Sequence, residues 1–211
     1  MDPRSEILLV FALVELAVWL GNISKPLSWL FGIIALLGVI YSWYKNPAGL
    51  KSIFCPLNVQ KIIYGQMYVA FLTCGTVILV IGLLCNPLLF SRTDFLRRFA
   101  VSVLFYLGNA LWQQVLLSGY FLPKLEQAFQ NPAKAISAIG ILFALVHLPN
   151  PVLVPVTMIG GMLSVYFFRQ TRNIYILTIA HAILAVSVMY LFPESWHHHL
   201  RIGPGFFHWN P

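Results

Sequence analysis

Charge is what this chain has least of. Only 9% of its 211 residues are Asp, Glu, Lys or Arg, against roughly a quarter in a soluble domain. Acids are the scarcer sign, six against thirteen cations. With 59% apolar residues, that scarcity excludes a water-soluble globule and leaves an integral membrane protein. The surplus of cations is no nucleic-acid footprint. Lys and Arg fall in short joints between apolar runs, where membrane topology and anionic headgroups account for them. Cysteine offers little: Cys55, Cys74 and Cys85 form no C-x-x-C or other ligand spacing, so no disulfide framework and no metal site is read. The absence of H-E-x-x-H speaks against a zinc protease. No cationic lead with a small-residue cleavage site marks a signal peptide, and the final H-W-N-P is not a prenylation box. Internal repeats and low-complexity segments are also missing.

Apolar runs are abundant instead. They cover residues 7–20, 27–44, 62–84, 99–122, 135–148, 152–168 and 174–192. These lengths predict an all-α, polytopic membrane helical bundle of about seven transmembrane helices, one membrane domain over 1–211. Between them, residues 45–61 are expected along the interface, Asn86-Pro87 stops the third run, and 91–98 is the most charged joint. Residues 124–134 read as a polar turn, Pro149-Asn150-Pro151 ends the fifth run, and Gly160-Gly161 allows close helix packing in the sixth. Lys45, Lys51, Lys61, Lys124, Lys134, Arg169 and Arg172 all fall on one side, which puts the N-terminus inside and the C-terminus outside; Arg92, Arg97 and Arg98 oppose that assignment.

Against this apolar background, the stretch 109–122 stands out, N-A-L-W-Q-Q-V-L-L-S-G-Y-F-L. Gln113 and Gln114 sit side by side in it, with Asn109 one turn before and Ser118 one turn after. Adjacent carboxamides in lipid need polar partners. Few ionisable groups lie within the runs: Glu15, His147 and His181. At ~1.5 Å of rise per residue, Gln113, His181 and Glu15 lie ~12–13 Å deep and His147 ~20 Å, compatible with one intramembrane layer. Taken singly, each can be helix-to-helix glue; together they read as a polar site. The His197-His198-His199 run lies past Pro193 at the interface, where any metal affinity is incidental.

Three patterns in this order resemble the CPBP (Abi) family of CAAX-processing and bacteriocin-processing proteases, intramembrane glutamic endopeptidases. That family carries a Glu-Glu pair followed four residues on by Arg and commonly Gly; here the stretch is Q-Q-V-L-L-S-G, from Gln113 to Gly119, with a trailing L-P-K-L. Its second motif, F-x-x-x-H, matches Phe143 to His147 in F-A-L-V-H-L-P-N-P. The third, a His followed four residues later by a polar residue, keeps His181 and has Ala185 at the polar position. The ending R-I-G-P-G-F is a weaker match. The resemblance implies N-terminal helices over 1–90, a CPBP-like core over 99–192, and a bacterial inner (plasma) membrane as the location. It also implies that a glutamate and the second-motif His activate a water, while the third-motif His and its polar partner hold the oxyanion.

The departures fall on the chemistry. Gln113 and Gln114 replace both glutamates, and an amide cannot act as a base. Ser118 replaces the Arg, and Ala185 removes an oxyanion donor. Two functions remain open. One is an endopeptidase hydrolysing a membrane-embedded or lipid-modified protein segment, with no metal and no cofactor. Its base would then be His147, with His181 and the Gln113 and Gln114 amides as donors, or else Glu15; Asn109, Phe143 and Ser118 would be accessory. The other is a catalytically inactive relative that binds such a segment in sorting or protection. A proton path through the histidines is a third reading, lacking paired broken helices or a chain of acids.

Overall fold

A computed structural model of the chain describes residues 2–46, 53–57, 60–85 and 94–208. Every described element is helical. Two proline-opened helices, α1 (Pro3–Leu20) and α2 (Lys25–Lys45), form an antiparallel hairpin closed by a 2.7 Å bond from Ser28 Oγ to the Ala17 carbonyl. Helix α3 (Lys61–Cys85) follows. Next, α4 (Phe95–Gln114) continues without a break through a π-helical segment (Val115–Phe121) into α5 (Leu122–Phe129). Asn131 caps α6 (Pro132–Val146), its side chain accepting from Lys134 N at 3.1 Å. Arg172, left-handed at φ 51°, ends α7 (Leu153–Thr171), and Asn173 caps α8 (Ile174–Leu191). A short α9 (Glu194–His197) and a 3₁₀ turn (Gly203–Phe206) complete the described chain.

The protein is an all-α membrane helical bundle. Each of the seven expected runs lies on a helix, α1 to α4 and α6 to α8. Among the described residues, four helical stretches are both long and apolar enough to cross a bilayer: Lys25–Lys45, Lys61–Cys85, the continuous rod Phe95–Phe129, and Ile174–Leu191. Pro132–Val146 is apolar but shorter. Asn86-Pro87, Lys51 and Arg92 lie outside the described residues.

Two joints differ from expectation. Residues 124–134 are no simple polar turn: the helix runs on to Phe129 and buries Leu122 and Leu125 before Gln130 turns it at φ 49°. The described part of the second joint also does more than lie along the interface. Ile53 is 1% exposed, packed against Gly119, and Leu57 N donates to the Thr171 carbonyl at 2.8 Å.

Close helix approach depends on glycine at particular places. A Cβ on Gly140 would stand 2.7 Å from the Met158 carbonyl oxygen, and one on Gly161 3.1 Å from Phe143 Cδ1. Gly160, the other half of the expected pair, faces open space. Two of the joints assigned to one membrane side, at Lys124 and Arg169, carry ion pairs to neighbouring helices. Lys124 Nζ pairs with Glu6 Oε2 at 2.8 Å, Tyr120 donates to Glu6 Oε1 at 3.3 Å, and Arg169 pairs with Glu126.

Candidate functional site

The two adjacent glutamines end α4, where the π segment begins, and they face different ways because successive helical residues turn by ~100°. Gln114 is buried, 2% exposed, between α7 and α8. Its amide Nε2 lies 3.1 Å from His181 Nδ1, and its Oε1 accepts from Ser164 Oγ at 2.6 Å. An amide nitrogen only donates, so His181 accepts at Nδ1, and a neutral ring carries its proton on Nε2.

Gln113 instead lines a cavity of about 200 Å³. Asn109 and Trp112 share that wall, Phe143 and His147 come from α6 and its end, Phe11 and Val14 from α1, and Ile202 from the C-terminal tail. Gln113 and Asn109 flank the Tyr106 hydroxyl, and Gln113 Oε1 is buried without a hydrogen-bond partner. His147 follows α6 directly, and its Nδ1 lies 2.6 Å from the Phe143 carbonyl. A carbonyl only accepts, so Nδ1 holds the proton and Nε2 of the neutral ring keeps a lone pair. Phe143 contacts both imidazoles, with centroids 4.8 Å from His147 and 6.0 Å from His181. The two histidines are therefore set in opposite tautomers, and both contact the same aromatic ring.

Glu15 and Ser118 lie elsewhere. Glu15 accepts from Trp19 Nε1 at 3.2 Å and its other oxygen is buried without a partner; like Gln114 and His181, which sit behind the Phe143 wall, it is not among the residues lining the cavity. Ser118, expected one turn after Gln114, falls inside the π segment, where the wider turn changes the register, and its buried hydroxyl has no partner. The histidine run is spread by its own contacts: His197 is buried with Nε2 3.2 Å from the Phe192 carbonyl, His198 bonds the Phe206 carbonyl, and His199 pairs with Glu194.

Ser164 and Tyr106 are the residues that sequence reasoning missed. Ser164 is a hydroxyl in an apolar run, three residues after the close-packed Gly161, so it shares the face turned to α6. Tyr106, Asn109 and Gln113 repeat at helical spacing, which was legible as a polar stripe.

Residues 95–187 match the family model for the Rce1-like type II CAAX prenyl endopeptidases. Over those residues the chain is similar to the CPBP family. The match takes in all three motifs, and the long apolar helices make the protein an integral membrane protein. No curated protein and no solved structure matches the chain. Part of the cavity wall lies outside the CPBP match: Phe11 and Val14 precede it and Ile202 follows it.

Proposed function

We propose that this protein is an intramembrane endopeptidase in which a pair of neutral histidines takes over the work of the family's glutamate. The observation that supports this most is the pair of opposite tautomers. His147, bound through Nδ1–H to the Phe143 carbonyl, offers the Nε2 lone pair of a general base at the cavity. His181, bound through Nδ1 to Gln114, offers Nε2–H as an oxyanion donor. A water in the cavity gives its proton to His147 Nε2 as its oxygen adds to the scissile carbonyl. The carbonyl oxygen, now negative, is held by His181. Collapse of the tetrahedral intermediate breaks the C–N bond, and His147 returns its proton to the departing amine. Gln113 Oε1, buried and unpartnered, would accept from the water or from a backbone N–H of the peptide.

The substrate is a membrane-embedded or lipid-modified peptide segment. The cavity is mostly apolar, and two of its wall residues, Asn109 and Trp112, are exposed on the outer surface of α4, so the approach is from lipid. The same unpartnered Gln113 favours a second reading, a peptide-binding relative without hydrolysis. A cleavage assay on a co-expressed membrane substrate separates the two. His147→Ala is expected to lower turnover roughly a hundredfold or more. Activity that emerges only on Gln113→Glu identifies a disabled protease and overturns the histidine mechanism.

A further inference from the structure

The C-terminal tail touches the cavity through one residue, Ile202, which forms part of its wall. The tail is held where the chain leaves His147. Gly203 N donates to the Leu148 carbonyl at 2.7 Å, one residue past His147. Asn150, fully buried, donates through Nδ2 to the His197 and Arg201 carbonyls at 2.8 and 3.0 Å. Its Oδ1 at the same time accepts from Val152 N and Leu153 N at 3.1 and 3.0 Å, at the start of α7. Arg201 and Ile202 are extended, and Gly203 then turns at φ 56° against Val18 of α1. Beyond that turn, Phe206 folds back to stack on His198 at 4.1 Å.

These contacts make a strap and not a bundle helix. It crosses from the end of α6 to the end of α1, and a few backbone hydrogen bonds secure it, with Arg201, Phe207 and His208 exposed around them. Segments held this way open at lower free energy than packed helices. A hydrolytic site also needs water, yet His147 is only 9% exposed and the neighbouring walls are apolar.

We infer that the strap 201–206 is the aqueous-side gate of the cavity, controlling entry of water and polar reagents at His147, while peptide enters from the lipid side. The inference takes the cavity to be the reacting site proposed above. Gating itself can be measured without proteolysis.

The test uses the full chain in membrane vesicles, with Cys55, Cys74 and Cys85 changed to Ser and Val146→Cys placed in the cavity wall. A charged methanethiosulfonate reagent is added to the aqueous phase, and the labelling rate is measured with the strap intact, with Ile202→Ala, and with Gly203→Pro. Proline can neither donate to Leu148 nor adopt φ 56°. Val165→Cys, fully buried and away from the cavity, reports general loosening. Both strap variants are expected to speed labelling at Val146→Cys about tenfold while Val165→Cys stays silent. Equal rates with and without the strap overturn the gate, as does a rise at both positions alike. Faster labelling without cleavage of any substrate keeps the gate and sinks the peptidase.

Discussion

Gln114 is held at both ends of its amide, and that double hold fixes what His181 can do. The Ser164 hydroxyl donates to Oε1 at 2.6 Å, so Nε2 is left to face His181 Nδ1 at 3.1 Å. Ser164 thus acts through Gln114 and is a positioning residue. Ser164→Ala leaves Gln114 Oε1 buried and unpartnered, a cost of about 1–3 kcal/mol. It also frees the amide to rotate and present oxygen to the imidazole, which moves the His181 proton to Nδ1. The expected result is a turnover number roughly tenfold lower with KM little changed, the pattern of a lost transition-state contact. Ser164→Thr, which keeps the hydroxyl, should restore much of the rate. An equal loss in both variants would mean that Ser164 matters only for packing.

Helices place these side chains through close contacts that depend on single glycines. Between α6 and α7 the decisive position is Gly140, where a methyl group would meet a backbone carbonyl at 2.7 Å and the Met162 side chain at 2.5 Å. A carbonyl in a helix cannot turn aside, so Gly140→Ala must push α6 away from α7 and shift Phe143 and His147 with it. The expected loss is about 1–3 kcal/mol in detergent unfolding. Gly160→Ala, with nothing within 4 Å, should stay within about 0.5 kcal/mol of the parent. The strap end carries its own pH dependence. Burial holds the His197 imidazole below its ordinary pKa, with His198, His199 and Glu194 as its charged neighbours. The released tail therefore binds more protons than the attached one. Attachment is fully stable above about pH 6.5 and weakens as pH falls below it. Amide exchange at Gly203, corrected for its intrinsic pH dependence, should lose protection on acidification, and a His197→Phe variant should lose that dependence.

At the scale of the molecule, what was legible in sequence was whatever is local or periodic. The apolar runs marked where helices lie, Asn131-Pro132 marked a cap, and the spacings around Gln113, Phe143 and His181 marked the helices that carry the candidate site. Not legible were the π segment that holds Ser118, the pairing of Ser164 with Gln114 across fifty residues, and the strap. Those depend on backbone widening and on carbonyls bonded far along the chain, which no residue pattern encodes. The role of α1 belongs here too. Phe11 and Val14 line the cavity, and the attachments outside its walls that hold α1 include the Glu6–Lys124–Tyr120 cluster at one end and Val18 against Gly203 at the other. The Glu6–Lys124 pair is mostly buried, with side-chain exposures of 17% for Lys124 and 20% for Glu6, so its worth should reach the upper end for a surface pair, about 1 kcal/mol. Glu6→Gln and Lys124→Met are each expected to lower the detergent melting temperature by a few degrees. In the double variant, the loss should be smaller than the sum by about 1 kcal/mol, because neither change leaves an unpaired charge once both are made. Strict additivity would show that the Glu6–Lys124 pair is not what keeps this wall of the cavity in place.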